Sequence, residues 1–92
     1  MERNAKQERL EHLYELIASI DDAEGCRAFF EDLCTAKELE NMAERCWAAK
    51  LLLEGNTYHQ VMAQSSISTA TLSRVSRCVQ NGRGYSALLK KE

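Results

Sequence analysis

Proline is absent from this chain of 92 residues, and glycine occurs only four times. Nothing therefore imposes a fixed kink or a polyproline linker, and helices can run until a cap or a glycine stops them. No stretch alternates apolar and polar residues for long enough to suggest a strand, and no low-complexity tract or stacked repeat divides the chain. The four cysteines, Cys26, Cys34, Cys46 and Cys78, contain no CxxC pair, and the two histidines, His12 and His59, stand far apart. A zinc framework needs closely spaced ligand pairs, so neither a metal nor a cofactor is expected. Each cysteine falls on or beside an apolar face, where a reduced, buried thiol packs as a small hydrophobe. There is no signal-peptide pattern and no apolar run near the ~18 residues of a membrane span, so the expectation is a cytoplasmic protein without membrane association. A catalytic constellation is also missing. His59 beside Tyr58 on an exposed helix start, and His12 on a charged helix, offer no nucleophile or acid–base pair in a pocket, which excludes an enzyme.

What is present is charge, unevenly spread. The formal net charge is −2. Residues 1–56 carry 7 Lys/Arg against 13 Asp/Glu, whereas residues 57–92 carry 5 against one, so a net −6 is joined to a net +4. An acidic scaffold followed by a basic, phosphate-facing module has this distribution. A chain of this length makes one domain with a marginal core, and without metal or disulfide the remaining source of stability is subunit association.

The pattern along the chain is helical throughout, giving an all-α fold of about six helices. After a polar start (MERNAKQ) that is expected to fray, Leu10, Leu13, Tyr14, Ile17 and Ile20 recur at spacings of three and four, the stripe of an amphipathic helix. Asp21 and Asp22 stop it, and Asp21 with Glu24 predicts the next start, leading into Cys26, Phe29, Phe30, Leu33 and Cys34 on one side. Thr35 with Glu38 predicts a capping box and a long helix to about Glu54, ended by Gly55 and Asn56. From Cys46 to Leu53 that helix is apolar on most of its circumference, which calls for burial on several sides and so for a second subunit. Residues 1–56 are read as a dimerisation scaffold, 57–79 as a helix-turn-helix and 80–92 as a short C-terminal helix.

The stretch TYHQVMAQSSISTATLSRVSRCV, residues 57–79, carries the functional signal. Thr57 with Gln60 has capping-box spacing, and Ser68 can cap a second helix. Val61 and Met62 give a short apolar face; Leu72, Val75 and Val79 give another at helical spacing. Ser66 occupies a turn position where glycine usually relieves strain. With Leu72, Val75 and Val79 inward, Ala70 and Arg77 point nearly opposite, Ser73 and Arg74 outward on either side, and Thr69 and Thr71 lie on the flanks. Short side chains and hydroxyls at a helix start, followed by arginines, suit a recognition helix in the major groove. Arginine can lie on guanine or on phosphate. Tyr58 and His59 are placed to meet phosphate oxygens, and Arg83, Lys90 and Lys91 add nonspecific attraction.

The strings Phe29-Phe30-Glu31-Asp32-Leu33-Cys34-Thr35, Leu53-Glu54-Gly55-Asn56-Thr57-Tyr58 and Ser68-Thr69-Ala70-Thr71-Leu72-Ser73-Arg74-Val75 resemble the tryptophan-repressor superfamily, and more closely its small YerC/YecD-type branch. The resemblance implies an intertwined six-helix homodimer with two projecting reading heads, and hence a palindromic double-stranded DNA operator. The family's namesake holds L-tryptophan with one arginine from the long helix and one from the recognition helix, beside a glycine. By that resemblance Arg74 matches the recognition-helix arginine and Thr35 a threonine near the pocket. Trp47 stands for the other arginine, Val75 for the glycine and Cys78 for a serine. The expectation is an altered effector pocket in which Trp47 acts as a built-in wedge, with L-tryptophan not the corepressor. The alternative is a dimeric protein-interaction module that keeps the fold without reading DNA.

Overall fold

The protein is described by a computed structural model over residues 4–89. Lys90 and Lys91, expected to add nonspecific attraction, lie outside the described residues. Those residues form six helices and no strand: α1 (Ala5–Ala18), α2 (Ala23–Leu33), α3 (Ala36–Leu53), α4 (Tyr58–Ala63), α5 (Thr69–Asn81) and α6 (Gly84–Leu89). No helix among them is long and apolar enough to cross a membrane. They fall into two compact units, residues 1–36 and 37–92.

The first unit holds α1 and α2. The expected frayed start is corrected at its inner end. Asn4 caps α1 by accepting the Gln7 N–H at 2.8 Å, while Gln7 Oε1 accepts the Asn4 N–H at 3.4 Å. Such reciprocal pairing satisfies two otherwise orphaned amides and starts a helix even in a polar sequence. The second start also shifts by one residue, because Asp22 rather than Asp21 is the cap and accepts the Gly25 N–H at 2.7 Å. Phe29 and Phe30 meet edge to face with centroids 5.6 Å apart. Neither helix has a buried residue. The apolar stripe read from the sequence is present, but Leu10, Tyr14, Leu16 and Leu33 are all more than a third exposed.

The second unit holds the core. Ala48, Ala49 and Leu51 of α3, Val61 of α4, Ile67 of the turn, and Leu72 and Val75 of α5 form one buried cluster. Leu52, Val79, Tyr85 and Leu89 pack against its edge. The burial on several sides that α3 calls for is not reached within the single chain, where Cys46 and Trp47 are exposed. The buried-thiol expectation fails for the same reason, since Cys26 and Cys46 are exposed and Cys34 and Cys78 half-buried.

The turn after α3 fixes where α4 begins. Gly55 has φ +99°, and the N–H groups of Asn56 and Gly55 donate to the carbonyls of Leu51 and Leu52 at 3.1 and 3.0 Å. Asn56 Nδ2 adds a second bond to the Leu51 oxygen at 2.9 Å. These are the paired bonds of a Schellman end, which needs a left-handed residue at its glycine. A Cβ on Gly55 would touch nothing within 4 Å, so only backbone strain opposes it. Gly84 is equally open and has no left-handed angle. Gly55→Ala is therefore expected to cost about 1 kcal/mol, and Gly84→Ala to stabilise by roughly 0.5 kcal/mol. Urea unfolding checks the pair, and equal stability of Gly55→Ala and the parent would contradict the strained turn.

Candidate nucleic-acid interface

The interface is built on α4, the turn and α5. Thr57 caps α4, its hydroxyl accepting the Gln60 N–H at 3.2 Å while Gln60 Oε1 accepts the Thr57 N–H at 2.7 Å. Ser68 caps α5, accepting the Thr71 N–H at 3.2 Å and donating its hydroxyl to Thr71 Oγ1 at 3.0 Å. Between them the turn is held by side chains: Ser65 donates to the Val61 carbonyl at 3.0 Å, and Ile67 is buried as a plug beneath it. No non-glycine residue among those described has a positive φ, so Ser66 stands in this turn without the strain that a glycine would relieve.

The roll of α5 follows from its buried residues. Leu72 is fully buried and Val75 1 % exposed, while Val79 lies half-buried at the edge of the same cluster. Ala70, Arg74 and Arg77 are consequently exposed along the opposite side, while Ser68 and Thr69 are exposed at the helix start. Thr71 and Ser73 are half-buried flanks, so Ser73 points less fully outward than its spacing suggested. On α4, Tyr58 and His59 are exposed. Met62 is corrected from a core position: it is exposed at 39 %, and Val61 alone anchors the helix. Consecutive positions on a helix differ by 100°, and the roll of α4 that buries Val61 turns Met62 toward solvent.

Two residues escaped the sequence reading. Ser76 is 4 % exposed, its hydroxyl accepting from Gln80 Nε2 at 3.0 Å. Four places after Leu72, it continues the inward stripe, and that spacing was the available signal. The other is Arg45, which with Ser68 and Thr71 lines a cavity of about 430 Å3 beside the start of α5. Trp47, expected as the wedge, is instead 51 % exposed, with Lys50 Nζ 4.7 Å from its ring centroid. It lies outside the buried cluster, so the single chain does not show an indole filling space beside α5. Val75 is buried in the core cluster, and Cys78 lines a separate apolar groove with Cys46, Tyr85 and Leu89. Thr35 directly precedes α3 in the first unit.

Removing the Ser68 cap leaves a helix-start amide without its partner. Ser68→Ala is expected to lower stability by about 1 kcal/mol, with amide exchange accelerating first at Thr71. Unchanged exchange at that amide would contradict the capping role.

Comparison with known proteins agrees with this architecture. The Trp repressor protein family matches residues 8–92. The uncharacterized protein YerC of Bacillus subtilis (strain 168) is 47 % identical over 73 residues, covering 79 % of this chain and 70 % of YerC. A candidate Trp repressor from Staphylococcus aureus superposes with a TM-score of 0.83 at 38 % identity, over 95 % of this chain and 85 % of the other. A TrpR-like protein from Eubacterium eligens ATCC 27750 gives 0.80 at 35 % identity, over 91 % of this chain and 94 % of its own. This six-helix chain, with its capped α4–turn–α5 unit, belongs to the Trp repressor protein family, a family of DNA-binding regulators and not of enzymes, and within it to the TrpR-like YerC type.

Proposed function

We propose that the chain is a cytoplasmic transcriptional repressor that reads a palindromic operator as a homodimer and is not controlled by L-tryptophan. The observation that carries this reading is the exposed row Ala70, Arg74 and Arg77, with Thr69 exposed at the helix start, on a helix whose roll is set by buried Leu72 and Val75. Small residues at the start of α5 allow its end to approach base edges, and the two arginines add either bidentate base contacts or phosphate contacts. Tyr58 and His59 at the start of α4, with Ser68 and Thr71 at the start of α5 and Ser73 on its flank, supply further polar groups for the backbone. The net +4 of residues 57–92 supports the same face.

The homodimer is supported by the unburied faces of α1 and α2. Apolar side chains spaced for a core, yet nowhere buried in one chain, gain stability only when a second surface covers them. In the proposed assembly residues 1–56 supply that scaffold, 57–79 the reading head and 80–92 the closing helix. A two-fold dimer would present its reading heads to half-sites about one helical turn apart. The case against L-tryptophan rests on Val75, whose buried side chain occupies the place that a glycine would leave open.

Binding to an operator duplex is expected to fall steeply with salt. Arg74→Ala combined with Arg77→Ala should weaken it about 100-fold or more and flatten the salt slope. Both arginines are exposed, so circular dichroism should report an unchanged fold. Retained affinity in the double variant would defeat this contact face. In calorimetry L-tryptophan should give no saturable heat, and stoichiometric micromolar binding would contradict the assignment of its control.

A further inference from the structure

Leu72, Val75 and Val79 mark the packed face of α5, and with about 100° between consecutive residues Ala70 lies about 180° around from it. Arg74 and Arg77 fall within about 40° of the same outward line, one and two turns further on. All three residues are exposed. The other small residues at the helix start are placed differently. Thr69 is exposed but turned about 100° from that line. Thr71 and Ser73 are half-buried, and the Ser68 hydroxyl donates to Thr71 Oγ1 at 3.0 Å. A recognition helix presents its N-terminal end to the base edges. The residue that stands farthest outward at that end is therefore the one whose side chain has no polar atom.

We propose that Ala70 is a specificity-determining residue that reads the C5-methyl group of a thymine in each half-site. The inference rests on the proposed approach of α5 to the major groove. There the base edges present hydrogen-bond donors and acceptors, and thymine alone of the four bases adds a methyl group. A methyl side chain laid on a polar edge takes away its water and returns no hydrogen bond, which is costly. Laid on the thymine methyl, it removes two apolar surfaces from water at once. Arg74 and Arg77 do not supply this discrimination. A guanidinium bonds to base oxygen and nitrogen or to phosphate, and those groups are the same in thymine and in uracil. Sensitivity to the methyl group is thus the signature that separates Ala70 from the arginines on its own line.

The test uses the full chain and a duplex that it recovers from a random pool. Each thymine of that duplex is replaced by uracil, one symmetric pair at a time, which deletes the methyl group and leaves base pairing intact. One pair of replacements is expected to weaken binding about fourfold per half-site, the worth of one buried methyl group. In Ala70→Gly that loss should vanish, the thymine and uracil duplexes binding alike, because the two methyl groups form one coupled pair. Ala70 is exposed, so circular dichroism should report an unchanged fold. A bound duplex in which no uracil replacement weakens binding overturns the proposal, and so does a loss that persists in Ala70→Gly. Either result leaves the proposed reading of DNA in place, whereas recovery of no duplex at all overturns both.

Discussion

Leu72, Val61 and Val75 are the largest fully buried side chains, and they join Ala48 and Ala49 of α3 in one buried cluster. That contact sets the rotation of α5 about its own axis, and every outward position follows from it. A turn of 100° per residue leaves no freedom once Leu72 and Val75 are inside. Ala70, Arg74 and Arg77 must then face away. Loss of Leu72 would cost about 2–5 kcal/mol, as for other buried leucines, and would release that rotation. Charge alone could not do this work, because exposed arginines contribute little to stability.

The rest of the second unit keeps the contact in place. The left-handed turn at Gly55 ends α3 and allows Thr57 to begin α4 two residues later. Ile67 and Ser65 bind the turn to α4, so the start of α5 is defined by packing below and by the Ser68 cap above. The first unit differs in kind. Its helices are capped and amphipathic, yet none of their side chains is buried.

Much of this was legible in the sequence where local chemistry decides the outcome. The Thr57/Gln60 box, the Ser68 cap, the Gly55 stop and the inward Leu72–Val75–Val79 face each depend on residues within a few positions, and each is present. Boundaries at α1 and α2 were less legible because Asn4 and the adjacent Asp21 and Asp22 are all competent caps, and spacing alone does not choose among them. Burial was least legible. Apolar spacing placed the cysteines, Met62 and Trp47 inside, but whether a face is covered depends on a surface that one chain does not provide. Arg45 carries no signal in the sequence, because periodicity gives a direction around α3 and no register against the turn that faces it.

Selection of bound sequences from a random duplex pool by the purified full chain tests the central claim most directly. The account predicts enrichment of a palindrome whose half-sites are centred about one helical turn apart. A pool without enrichment, or with single unpaired sites, would contradict it.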